Sequence, residues 1–332
     1  MKTKPADQLF CGVRKKVIKN AHPTINEENL HHLYNFIRRR YKIHLKKDVL
    51  GKPAPWTKDP VLQEFRFTNI RREHDRESKW LIEHISTNPD LSYTDKLLNS
   101  ILFRLYNKHQ TSELIGMPFH FTKDWDPEWY RAVFVAAEVE DPSIVFFTGA
   151  FNTGGMKSAL KRYVPEGVDL YIPLRVLYFM KHLQKIHLVK DIKAAETQQD
   201  VFDRLSSIVG LGEFLGYQMF VDMTYIPEFP FSENEFTVAG PGCKMGLDYL
   251  FDDKDAMTYE ECIFWVRDNL ERLFHEVLGK EWDCKKIFWD LPEEDRCFNV
   301  MSLENCFCEL SKYIRAKTDT GRPRKKYRPT IE

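Results

Sequence analysis

Helix-start signals recur along this chain of 332 residues and leave little length for anything but α structure. Thr24-Ile25-Asn26-Glu27 reads as a capping box, in which the threonine and glutamate side chains satisfy free amides of a new helix. Leu30, Leu33, Tyr34 and Ile37 then follow on one face. Thr258-Tyr259-Glu260-Glu261 is a second such box, opening a segment that ends before Gly279. Asp59-Pro60 and Asp126-Pro127 each set an N-cap before a proline at the first helical position, where the missing N–H would have lacked a partner anyway. Ser92 with Asp95 opens the segment carrying Leu98, Ile101, Leu102 and Leu105. Ser143-Ile144-Val145-Phe146-Phe147 fits a short strand or a buried helix piece. The predicted class is mainly α, with few or no short strands.

The length suits one large or two modest domains. Apolar periodicity pauses between residues 188 and 197, so the expected organisation is an N-terminal helical region 1–190, a region 191–318 sharing one cleft with it, and a basic tail 319–332. Lys plus Arg and Asp plus Glu are equal at 49 each, so any attraction to phosphate must come from local patches. The tail supplies one, with Lys325 and Lys326 at its centre, and reads as a frayed arm or a solubilising end. No apolar run is long enough to span a bilayer, and no signal-peptide core is visible, so an intracellular protein is expected. Seven irregularly spaced cysteines fit reduced thiols, and no structural metal is expected.

Between two apolar, helix-periodic segments lies Ile208-Val209-Gly210-Leu211-Gly212. Gly210 and Gly212 allow a tight turn whose following amides can point at one anion, as in a helix-hairpin-helix grip on a DNA phosphate; an ordinary αα-corner is the alternative. Gly149 to Ser158 imitates a phosphate-binding loop, but Gly155 and Met156 intervene where lysine should follow the glycine directly.

Three polar constellations could carry chemistry. The segment Phe67 to Ser78 is expected as a polar helix on which Asp75 orients Arg71 and Arg72 for a bidentate grip on phosphate or carboxylate; a solvated face of ion pairs is the plainer reading. After the hairpin, Gly240-Pro241-Gly242 can bring amides near an anion or a base, with Lys244 just beyond; a tight connection between two helices is the alternative. On a helix from Met301 to Arg315, Asn305, Glu309 and Lys312 share one face, able to act as base plus anion holder or as a surface ion pair.

Taken together, the hairpin, Val-Ala-Gly-Pro-Gly-Cys-Lys at 238–244, Phe-Thr-Asn-Ile-Arg-Arg-Glu-His-Asp-Arg at 67–76 and Asn-Cys-Phe-Cys-Glu-Leu-Ser-Lys-Tyr-Ile-Arg at 305–315 resemble the phage α-glutamyl/putrescinyl-thymine pyrophosphorylase family, also called amino-acid:DNA transferases. The resemblance covers roughly residues 60 to 318 and implies a fold like that of helix-hairpin-helix DNA glycosylases. Where those enzymes carry a catalytic Asp after the hairpin, Gly240 stands here, which puts base excision in doubt.

The resemblance implies a reaction on double-stranded DNA containing phosphorylated or pyrophosphorylated 5-hydroxymethyluracil. An amino acid or polyamine amine replaces the leaving group on the exocyclic methylene of a flipped base, in the cytoplasm of an infected bacterium. In that scheme Arg71, Arg72, Arg76 and Lys244 are candidates for holding the leaving group, with Lys312 beside them. Glu309 or Asp75 is the base, Asn69 and Asn305 read the uracil edge, and Gly210, Gly212, Lys325 and Lys326 meet the DNA backbone. No cofactor is implied, and a requirement for a divalent metal is left open. The competing readings are a glycosylase that has moved its carboxylate to Asp222, and a DNA-binding module without catalysis.

Overall fold

The computed structural model describes residues 13–121, 125–148, 154–321, 323, 326 and 327. They are mainly helical, and the sheet is one antiparallel pair in which Thr24–Ile25 meets Phe251–Asp253. No helix among the described residues is long and apolar enough to cross a membrane.

The chain forms two compact units, Met1–Asp75 with Glu233–Glu332, and Arg76–Ser232. This division replaces the expected boundary at residue 190, which falls inside the helix Leu188–Lys193. The pause in apolar periodicity there marks a short helix with two buried residues, Leu188 and Ile192, rather than a linker.

In the first unit the helix Val300–Lys317 runs through the core, burying Leu303, Phe307, Leu310 and Tyr313 against the helices Glu27–His44, Pro241–Leu250 and Tyr259–Arg272. Each such side chain contributes about 1.5–3 kcal/mol by leaving water. Two of the expected caps form here: Asp59 accepts from the Val61 and Leu62 amides, and Thr258 and Glu261 close a reciprocal capping box. The box expected at Thr24 does not. Thr24 is taken up by strand pairing, so the cap moves to Asn26, whose side chain accepts from the Asn29 amide at 3.0 Å.

Pro241–Leu250 crosses Val300–Lys317 very closely, and glycine makes this possible. A β-carbon at Gly246 would lie 2.1 Å from the Phe307 carbonyl oxygen, and one at Gly242 would lie 2.5 Å from Cys308 Sγ. Gly246→Ala is therefore expected to destabilise the protein at the upper end of the roughly 1–3 kcal/mol overpacking range, because backbone cannot give way as a side-chain tip can. Alanine's gain in helix propensity of about 1 kcal/mol does not offset that contact. Urea unfolding measures it, and an unchanged midpoint would refute the close crossing.

The second unit is built on the helices Tyr93–Tyr106 and Ile172–Lys185, with Gln198–Ser206 and Gly212–Met223 packed against each other across a short turn. Ser92 caps the first of these through the Asp95 amide, as expected, and Asp126 caps a short turn before Arg131–Glu140. The segment Ser143 to Phe147 is neither strand nor helix. Its carbonyls are held from the side, Phe146 by the Thr111 hydroxyl at 2.9 Å and Val145 by Lys108, and Val145 itself is exposed. Of the loop that imitates a phosphate-binding motif, residues 149–153 lie outside the described residues, and Lys157 places its ammonium 4.0 Å over the Phe147 ring.

Candidate active site

Asn299 starts the helix Val300–Lys317 by accepting from the Ser302 amide at 2.7 Å. Helical spacing then sets Asn305, Cys308 and Lys312 along its partly exposed edge, with Glu304 and Glu309 buried beside them. Glu309 accepts from Lys312 Nζ at 2.5 Å and from the Thr68 amide at 3.3 Å, so one carboxylate is held by an ammonium and a backbone donor. Glu304 Oε1 accepts from the Gly240 amide at 3.4 Å. The Gly-Pro-Gly segment is the start of a helix, with Gly240 as its cap, and the carboxylate drawn to it comes from Glu304, far along the chain.

Facing this helix is the strap from Thr68 to Asp75. It was expected as a helix, but only Arg72–His74 makes a short 3-10 turn, and α-helix begins at Arg76. The cause is local: Asp75 Oδ1 accepts from the Asn69 amide at 2.9 Å, and Asn69 Nδ2 donates to the His74 carbonyl at 2.8 Å, so the strap closes on itself. The two arginines are thereby separated. Arg71 is buried, donating to Glu73 at 2.6 Å and to the Cys297 carbonyl at 2.7 Å, while Arg72 is buried where its charge acts on Asp75 and Glu304. Asn305 Nδ2 ties the strap to the helix through the Asn69 carbonyl and Thr68 Oγ1, both at 3.1 Å.

Arg40 completes the cluster from the helix Glu27–His44. Its Nε donates to the Phe67 carbonyl at 3.4 Å, but its Nη1 is buried with no acceptor, and burial holds the guanidinium below the usual arginine range. A buried cationic N–H without an acceptor is costly, and an anion would relieve that cost. Asn69 Oδ1 is likewise a buried acceptor without a donor.

Burial pushes the Asp75 carboxyl up to about 6, against the Asn69 amide, Arg40 and Arg72. It pushes Glu304 up to about 7, against Arg72, the Gly240 amide and Lys312. Burial also opposes the charge on Lys312, but Glu309 and Cys308 outweigh it and hold the ammonium above the usual lysine value. Such carboxyls can exchange protons near neutral pH. The linkage has a definite sign: both groups bind protons more tightly in the folded chain, so their stabilisation is complete at about pH 4 and is lost as pH rises through about 6 to 7. The urea midpoint is expected to fall between pH 5 and pH 8, and the slope should flatten in Asp75→Asn and Glu304→Gln proteins; equal slopes in parent and variants would contradict the assignment.

Asn69, Arg72, Asp75, Asn305, Glu309 and Lys312, all expected at the site, are thus gathered within the first unit. Lys244 and Arg76 are not. Lys244 is exposed over the Tyr259 ring at 5.6 Å, and Arg76 is exposed in the second unit, paired with Glu77 at 3.0 Å. Arg40 and Glu304 were missed by sequence reasoning, although each leaves a signal: a charged residue at an apolar-face position, Arg40 following Leu33 and Ile37, and Glu304 lying between Val300 and Phe307.

In the second unit Gly210 and Gly212 have φ of +104° and +65°, as a hairpin turn requires. The helix Gly212–Met223 opens without a side-chain cap, and residues 212–214 are exposed. Tyr163 OH donates to the Val209 carbonyl at 2.8 Å, and Tyr163 also lines a cavity of about 430 Å³ with Arg162, Lys181 and Lys185. Asp222, the alternative carboxylate, is fully buried and bound by Arg104, whose Nε donates at 2.5 Å. Both Asp222 oxygens are taken up by this buried ion pair. The tail is not free throughout: Lys326 bridges to Phe65 and pairs with Glu64 at 3.3 Å, whereas Lys325 lies outside the described residues.

Residues 27–322 match the family described as 5-hmdU DNA kinase, helical domain. A curated relative, the 5-hmdU DNA kinase of Bacillus phage SP10, is 26% identical over 289 residues, covering 83% of this chain. The chain spans only 43% of that relative's length. No solved structure matches.

Proposed function

Because the chain belongs to the family of the helical domain of 5-hmdU DNA kinases, we propose that it handles 5-hydroxymethyluracil in DNA and carries out chemistry on its exocyclic oxygen-bearing carbon, inside an infected bacterial cell. The more specific reading is amine transfer. The C–O bond to a phosphate or pyrophosphate breaks, its electron pair leaving on the phosphate oxygen. The amine of an amino acid or polyamine supplies the pair for the new C–N bond, and its surplus proton passes to a carboxylate.

One observation carries this reading: a buried cation whose Nη1 has no acceptor stands among carboxyls able to exchange protons near neutral pH. Arg40, Arg72 and Lys312 would neutralise the departing phosphate, and Glu309 would take the ammonium proton, with Asp75 as the alternative base. The unpartnered Asn69 Oδ1 suits the N3–H of a flipped uracil, beside Asn305. The uncapped helix start after Gly210 and Gly212 suits a DNA phosphate.

The relative's description favours a second reading, in which the same site holds the hydroxymethyl group for phosphoryl transfer from a nucleotide bound elsewhere. Two incubations separate them: DNA bearing phosphorylated 5-hydroxymethyluracil with a pool of amino acids and polyamines, and DNA bearing 5-hydroxymethyluracil with ATP and Mg²⁺, each digested and its nucleosides weighed. Loss of phosphate with gain of an amine supports transfer. Gain of phosphate in the second incubation supports the kinase-type reaction, and no mass change in either sinks both.

A further inference from the structure

Behind the strap, His44, His74 and Asp290 each offer a ligand atom, and these atoms lie within 4.8 Å of one another. They come from three separate parts of the first unit: the last turn of the helix Glu27–His44, the 3-10 turn Arg72–His74, and the loop after the helix Cys284–Ile287. The two imidazoles stack with centroids 4.0 Å apart and planes 15° apart. His44 Nδ1 lies 3.0 Å from Asp48 Oδ2, and in the tautomer whose Nδ1–H donates to that carboxylate the Nε2 lone pair points away from it. Nε2 lies 3.4 Å from Asp290 Oδ2. In that tautomer two acceptors face each other, an arrangement that a cation between them, or a proton on Nε2, reconciles. The other Asp290 oxygen accepts from Tyr41 OH at 2.5 Å, which orients the carboxylate.

We propose that His44, His74 and Asp290 bind a divalent transition ion of the zinc class. Two imidazoles and one carboxylate are the donor set such ions select, and three protein ligands leave a position for water. Asp48 on His44 and Tyr41 on Asp290 supply the outer hydrogen bonds that metal ligands characteristically carry. The site contains no cysteine, so it departs from the expectation of no metal drawn from cysteine spacing. Its consequence for the neighbouring chemistry is positional: the ion pins the turn that carries His74, and Arg72 and Asp75 flank that residue.

The test uses the full chain, treated with a chelator and titrated with Co²⁺ or Zn²⁺, followed by visible absorption for cobalt and calorimetry for zinc. One equivalent is expected to bind. His74→Ala and Asp290→Asn should each abolish the cobalt spectrum, with circular dichroism showing that the variants remain helical. Asp48→Asn should weaken binding by about 10- to 100-fold. Absence of stoichiometric binding to the parent, which would leave an imidazolium–carboxylate pair as the reason for the geometry, overturns the proposal. Binding unchanged in folded His74→Ala and Asp290→Asn proteins overturns it equally. Because binding is read directly, the outcome does not depend on which reaction the chain performs.

Discussion

In the proposed amine transfer, Glu309→Gln is expected to lower the rate by about 10²- to 10⁴-fold, the loss usual when a positioned base is removed. The substitution keeps the side-chain shape and an acceptor for the Thr68 amide, but it removes the charge that holds Lys312 at 2.5 Å and raises its pKa. Two effects then combine. The incoming ammonium keeps its proton, and Lys312 loses the carboxylate that fixes its position beside the leaving group. Steady-state kinetics should show a fall in kcat larger than any rise in KM, because the base acts on the bound ammonium, freeing the lone pair that forms the C–N bond, and not on binding itself. Transfer at the parent rate would remove Glu309 from the base role and leave Asp75 as the candidate.

Asp222→Ala should cost the second unit about 3–5 kcal/mol. Arg104 donates to Asp222 from both Nε and Nη2, and neither side chain reaches solvent. Removing the carboxylate leaves a buried guanidinium without its counter-charge, its Nη1 still donating to Asn107 Oδ1 at 2.7 Å. The desolvation penalty then stands without the Coulombic attraction that opposed it. Denaturant unfolding measures the loss, and a paired Arg104→Met, Asp222→Leu protein should recover most of it, since apolar residues of similar volume carry no such penalty. If Asp222→Ala folded as stably as the parent, the pair would not be structural, and a catalytic use of Asp222 would return to consideration.

Much of the helical layout was legible in the sequence because capping is local chemistry. Ser92, Asp59 and Thr258 each satisfy amides two or three residues ahead, and no distant residue can change that spacing. Thr24 shows where locality fails: residues near 251 pair with it, and the cap shifts to Asn26. The strap shows the same failure. Its i,i+4 charges suited a helix, but Asp75 found a better donor in the Asn69 amide, and Arg71 found Glu73 and the Cys297 carbonyl. The tail likewise reads as a free basic arm until Glu64 and Phe65 engage Lys326.

By itself, the sequence determined that the chain is mainly α, that Gly210 and Gly212 take the positive φ of a tight turn, and that Asn305, Glu309 and Lys312 lie on successive turns of one helix, because each follows from backbone geometry over a few residues. Only the tertiary structure decided which charges meet. Arg40, Asp75, Glu304 and Gly240 come from four distant stretches, and their proton affinities and unmet hydrogen bonds are set by how much water the packing removes and which partner it leaves within reach.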